Sequence, residues 1–140
     1  MTGSNPLDLL PHRAPFVFVD RIVELEPGLR AVGVKKIAAD EWYLRGHFPG
    51  NPLVPGVILV EALAQVAGIA LNSEQPDACR RTYLSAIRSA KFLRPVLPGE
   101  EITLVAQRRA QLGVVTQFAV TASVNGAIVA EGEVVLGWVS

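Results

Sequence analysis

The apolar run from Pro55 to Leu71 (PGVILVEALAQVAGIAL) holds a single charged residue, Glu61. An ionised carboxyl group buried without a partner is costly, and the usual escape is a raised pKa that leaves it protonated and able to donate. Gln65, one helical turn on, is the polar neighbour that can orient that carboxyl group. A structural reading stands beside this one: Glu61 could pair with a basic side chain from a strand, or face solvent at a helix edge. His47, in Arg45-Gly-His-Phe-Pro-Gly50, is the second candidate. Glycine and proline constrain the backbone around it, and the helix expected to start near Pro55-Gly56 brings unpaired N–H donors close in sequence. His12, in Leu10-Pro-His-Arg13, lacks such a neighbourhood and reads as structural.

An imidazole base, a protonated carboxyl group and a helix N-terminus together suit removal of water from a 3-hydroxyacyl thioester. The α-proton of a thioester is weakly acidic, so a histidine can take it only if charge developing on the carbonyl oxygen is stabilised. The Gly56 N–H is the candidate stabiliser. A β-hydroxyl leaves poorly unless it is protonated as it departs, which suits a carboxyl group of raised pKa, here Glu61. Other chemistries find less support. The two histidines are 35 residues apart with no His-x-x-x-His or Cys-x-x-Cys, so no metal site is expected. Gly-x-Ser-x-Gly, Walker and Gly-x-Gly-x-x-Gly patterns do not occur. Cys79, the only cysteine, excludes an internal disulfide and sits in an expected loop without a nearby histidine.

The elements that must position these groups follow from hydropathy and turn chemistry. At 140 residues, half of them hydrophobic, the chain suits one domain spanning 1–140, able to bury roughly two-thirds of its unfolded surface. Thirteen basic residues balance thirteen acidic ones, which argues against a nucleic-acid binder. The N-terminus has neither a basic segment nor an apolar run, and the stretch Gly56–Leu71 is too short to cross a bilayer, so a cytoplasmic protein without a membrane partner is expected. A helical turn is expected around Leu7–Leu10, then strands over Phe16–Glu26 and Leu29–Ala38 joined at Pro27-Gly28. The segment from Ala39 to Pro55, broken by Gly46, Pro49, Gly50, Pro52 and Pro55, reads as irregular. From Leu59 a helix that is apolar on every face must be enclosed by the rest of the chain. Thr82–Leu93, Ile102–Leu112, Val114–Val124 and Ala127–Val139 read as a four-strand meander, with Asn125-Gly126 a strong hairpin signal. Phe118, Val120, Ala122 and Val124 fall on one face of their strand. The outline is α+β, an antiparallel sheet wrapped around a long central helix, consistent with a hot-dog fold.

At the candidate residues the sequence resembles the β-hydroxyacyl-acyl carrier protein dehydratases of bacterial type II fatty acid synthesis, in the FabZ branch. The matching segments are Leu10-Pro-His-Arg-Ala-Pro-Phe16 leading to Val19-Asp-Arg21, Gly46-His-Phe-Pro-Gly-Asn-Pro-Leu-Val-Pro-Gly-Val57, Val60-Glu-Ala-Leu-Ala-Gln65 and Lys91-Phe-Leu-Arg-Pro-Val-Leu-Pro-Gly99. They stand in the family's order, cover nearly the whole chain, and keep the fourteen-residue spacing of His47 and Glu61. The resemblance implies that His47 is the catalytic base and Glu61 the partner that handles the hydroxyl. It implies that the Gly56 amide polarises the thioester carbonyl, that Gln65 supports Glu61 and that the Leu53 carbonyl orients the histidine ring. No cofactor is implied. A related branch that also isomerises the double bond carries Asp at the position of Glu61 and Cys at that of Val57, so the non-isomerising branch is favoured.

The implied reaction converts a (3R)-3-hydroxyacyl-acyl carrier protein to the trans-2-enoyl form. The implied assembly is a homodimer whose sites each take His47 from one subunit and Glu61 from the other, with three dimers forming a hexamer. Acyl carrier proteins are acidic, and Arg80, Arg81, Arg88, Lys91 and Arg94 form a stretch without an intervening acid that could attract one. Alternation along a strand would split these residues between two faces, so a solvated strand face is the competing reading. Tyr83 is the candidate gate at a tunnel mouth, or else a core residue. Two other functions fit the same fold: an acyl-CoA thioesterase, which would release free thiol, and a non-catalytic acyl-binding module.

Overall fold

A computed structural model describes residues 5–44, 53–76 and 81–139, with the backbone alone of Val139. Turn residues set the strand boundaries. β1 (Arg21–Glu26) and β2 (Arg30–Lys36) meet at a turn whose Gly28 has φ +77°, a left-handed value that costs glycine nothing. After the helix α1 (Gly56–Asn72) come β3 (Arg81–Phe92), β4 (Glu101–Leu112), β5 (Val115–Val124) and β6 (Ala127–Val139). Asn125 and Gly126 both take positive φ between β5 and β6, as a two-residue hairpin turn demands. Short 3₁₀ turns stand at Pro6–Leu9, where the Asn5 side chain accepts from the Leu7 N–H, and at Trp42–Leu44. The second falls in the stretch whose breakers argued against regular structure.

All six strands form one antiparallel sheet in the order β1-β2-β4-β5-β6-β3. Strands β4, β5 and β6 are the expected meander, but β3 is not its first member. It pairs with β6 at the far edge, so the chain crosses the whole meander between β3 and β4. The sheet curls around α1, and the inward faces of β2, β4, β5 and β6 meet Leu63, Val66, Ala67 and Ala70 in a core that includes Leu104, Phe118 and Val134. On β5 every second residue from Thr116 to Val124 is buried, as period-two alternation requires. No helix among the described residues is long and apolar enough to cross a membrane.

Two departures from the sequence reading bear on the site. The expected strand over Phe16–Glu26 begins only at Arg21. Before it, the buried Gln65 side chain accepts from the Phe18 N–H (2.9 Å) and donates to the Phe16 carbonyl (3.0 Å), so a helix side chain replaces strand pairing. Enclosure of α1 is also incomplete: it is buried from Ala62 to Asn72, but Val57 is 75% exposed and Glu61 is partly exposed.

Among the described glycines the tightest surroundings are at Gly132, opposite Ala90, where a Cβ would lie 2.2 Å from the Ser89 carbonyl oxygen. Backbone cannot yield as a flexible side chain would. Gly132→Ala should therefore destabilise the chain by about 2–3 kcal/mol in denaturant titration, whereas Gly113→Ala, with open space around it, should cost no more than a positive φ imposes, about 1 kcal/mol.

Candidate functional site

The site is built where the N-terminal leader crosses the first half of α1. Pro55 caps the helix with φ −59°, suited to a residue whose N–H is missing, and no side chain caps the terminus. The helix therefore opens on backbone donors without intrahelical partners, the Gly56 N–H among them. Glycine lets the Phe92 ring, at the end of β3, pack close to this first position: it lies 3.0 Å from where a Cβ would stand, so a side chain here would make the ring shift.

Five residues along, Glu61 has a side-chain exposure of 22%. Its Oε2 accepts from Gln65 Nε2 at 3.2 Å and lies 3.6 Å from His12 Nε2. Desolvation pushes the Glu61 pKa up, and the Gln65 hydrogen bond and the charge of His12 only partly offset it. The same Gln65 amide holds the leader, so one buried side chain ties the Phe16–Phe18 backbone to the carboxyl group of Glu61.

His12, which the sequence reading assigned a structural role, thus faces the candidate acid. Its ring stacks on that of Phe16 (centroids 5.7 Å apart, planes at 27°), and Phe16 in turn meets Phe18 edge-on. Arg13 donates to the carbonyls of Leu10 and His12, which stiffens the turn carrying the imidazole. The contact joins residues 49 apart in the chain. Periodicity has no term for such a contact, and the only sequence signal was the place of His12 in the Leu10–Phe16 motif.

The remaining candidates divide. His47 and Arg80 lie outside the described residues, as does Cys79. Leu53 directly precedes Val54, whose N–H donates to the Val96 carbonyl and anchors the approach to α1. Tyr83 is half-exposed on β3, with its ring against Gly137 of β6, where a Cβ would meet it at 2.8 Å. Of the basic stretch, Arg81, Arg88 and Lys91 are exposed along β3. Arg94 is locally compensated by Glu100, at 3.1 Å, a partner from beyond the acid-free window. Among the described residues no group of three histidine, cysteine or acidic side chains could hold a metal ion.

Comparison with known proteins bears on the family and the fold. Residues 10–133 match the family model of the FabA-like domain. The chain is 43% identical over 134 residues to the 3-hydroxyacyl-[acyl-carrier-protein] dehydratase FabZ of Ruminiclostridium cellulolyticum, covering 96% of this chain and 94% of the relative. It is 46% identical over 129 residues to the FabZ of Myxococcus xanthus, covering 91% and 84%. Among solved structures, the dehydratase heterocomplex ApeI:P of Xenorhabdus doucetiae superposes with a TM-score of 0.82 over 98% of this chain and 92% of that one, at 15% identity.

The raised pKa of Glu61 has a stability consequence of definite sign. The folded state holds this proton more tightly than the unfolded chain, so the contribution is full below the ordinary carboxylate value and is lost as pH rises through the folded pKa. Glu61→Gln should therefore be the more stable protein at neutral pH, and its advantage should vanish in thermal unfolding at acid pH. An equal difference at both pH values would show that Glu61 is not desolvated.

Proposed function

Because the chain belongs to the FabA-like family, and within it to the 3-hydroxyacyl-[acyl-carrier-protein] dehydratases of the FabZ type, we propose that it removes water from 3-hydroxyacyl-acyl carrier protein to give the 2-enoyl thioester in fatty acid biosynthesis. The observation that carries this reading is the placement of Glu61: a carboxyl group of raised pKa, hydrogen-bonded to a buried amide, beside an uncapped helix N-terminus. The reaction is proposed to need no cofactor and to run in the cytoplasm.

The proposed reaction divides the work among three groups. His47 takes the α-proton of the thioester. The Gly56 N–H receives the charge developing on the carbonyl oxygen, an interaction strongest in the transition state. Glu61 delivers its proton to the β-hydroxyl, the C–O bond breaks, and the electron pair left by the α-proton becomes the new double bond as water departs. The proton held on His47 then returns to the Glu61 carboxylate for the next cycle.

Each site is proposed to form between two copies of this chain. β3 pairs with β6 along one edge only, and its other edge carries half-exposed Tyr83, Ile87 and Phe92, continued by Leu93. A twelve-residue strand hydrogen-bonded on one side only is a template for further pairing. β1, the opposite edge, is half as long. A second copy meeting β3 would also cover Val57 on the open turn of α1. The resulting dimers are proposed to assemble by threes. Arg80, Arg81, Arg88 and Lys91 are the proposed landing residues for the acidic carrier protein, with Tyr83 at the entrance and the Leu53 carbonyl orienting the His47 ring.

Purified protein incubated with a 3-hydroxyacyl-acyl carrier protein should yield product lighter by one water in mass spectrometry, without release of free thiol. His47→Ala and Glu61→Gln should each lower kcat by about 10²–10⁴-fold. Thiol release without dehydration would favour a thioesterase, and full activity in either variant would overturn the mechanism.

A further inference from the structure

Gln65 Nε2 reaches only one oxygen of the Glu61 carboxyl group, Oε2, and a single hydrogen bond leaves the group free to pivot about it. The second contact at that oxygen is His12 Nε2, at 3.6 Å. His12 is held by two contacts, a hydrogen bond from Arg13 to its own carbonyl and the stack of its ring on Phe16, whose carbonyl is in turn tied to Gln65. The imidazole is therefore part of a braced unit. Among the described residues, His12 is the only basic side chain at ion-pair distance from Glu61. Arg13, its neighbour in the leader, donates to the carbonyls of Leu10 and His12, and α1 offers no other charged group between Gly56 and Asn72.

We propose that His12 is a positioning residue for the acid of the dehydration, its Nε2 and the Gln65 amide together pinning Glu61 Oε2 so that Oε1 is presented to the departing hydroxyl. The inference rests on the reading of Glu61 as proton donor and extends it. The Gln65 hydrogen bond and an imidazolium at ion-pair distance both favour negative charge on Oε2, which leaves the proton to the other oxygen, the one that must meet the substrate. His12 touches neither substrate nor reacting atoms in this scheme; it acts through Glu61. It also adds a positive influence that favours the ionised carboxyl group, so its removal should leave Glu61 protonated to higher pH.

The test compares His12→Phe and His12→Gln with the unaltered protein on a 3-hydroxyacyl-acyl carrier protein. His12→Phe keeps ring volume over Phe16 but loses the nitrogen at ion-pair distance from Glu61, and should lower kcat about tenfold with KM within about twofold. The alkaline limb of its kcat profile, where Glu61 loses its proton, should move to higher pH. His12→Gln restores a donor without a charge, so it should recover most of kcat while keeping the displaced limb. A merely structural His12 would change thermal stability and leave the limb in place. The titration of the Glu61 side-chain carbon, followed by NMR without substrate, gives a readout independent of turnover: its midpoint should rise in both variants. Inactivity of the unaltered protein would refute the dehydratase reading, and the NMR midpoint would still decide the His12–Glu61 coupling. An unmoved midpoint, or an unmoved limb with kcat within twofold in His12→Phe, would overturn the proposal.

Discussion

The arrangement around the candidate site depends on one buried amide. Gln65, 1% exposed, spends its oxygen on the Phe18 N–H and its nitrogen on the Phe16 carbonyl and the Glu61 carboxyl group. Without it the leader would carry an unpaired buried N–H and carbonyl, at about 1–3 kcal/mol for each, and Glu61 would lose its hydrogen-bonded partner. The amide therefore joins folding and chemistry: the contact that replaces strand pairing before β1 is also the contact that orients the acid. A hydrophobic residue of similar size could fill the space but could bridge neither backbone nor carboxyl group.

The helix shows the same division along its length. From Ala62 to Asn72 it is buried as a core element, and its C-terminal end is closed by Ser73, whose hydroxyl donates to the Ala70 carbonyl. The Ala70 carbonyl also accepts from the Gly28 N–H, which docks the β1–β2 turn against that end. The first turn and a half is less enclosed, with Val57 exposed, Glu61 partly so, and the terminus without a side-chain cap. Stability is concentrated at one end and open valence at the other. The open end lies by Phe92 of β3, so the exposed edge strand and the exposed helix turn belong to one continuous surface.

Much of this was legible in the residues because much of it is local. Asn125-Gly126 and Pro27-Gly28 punctuate the strands by their own conformational preferences, and β4, β5, β6 and α1 ended within a few residues of the expected bounds. What escaped is non-local. Period-two alternation cannot say that β3 leaves the meander for the far side of β6, since pairing partners are chosen by the whole sheet. Nor can it reveal that Phe16 and Phe18, strand-like in composition, have their backbone taken by Gln65 some 47 to 49 residues later. The contact of His12 with Glu61 escaped for the same reason: the leader meets that residue only after folding. Glu61 was legible because an isolated charge in an apolar helix is anomalous at any fold, whereas His47 was found through the resemblance and its flanking residues and lies outside the described residues.

We propose that a single chain carries half of a working site, its acid waiting for an imidazole from a second copy. Subunit mixing tests this most directly: His47→Ala and Glu61→Gln proteins, each inactive, are co-expressed in equal amounts under separate tags and the doubly tagged assemblies are assayed. Random pairing would place one intact site in each mixed dimer, so doubly tagged dimers should recover about one half of the activity of the unaltered protein and the unfractionated pool about one quarter. A mixture no more active than its parents, with mixed dimers demonstrably present, would contradict a site shared between subunits.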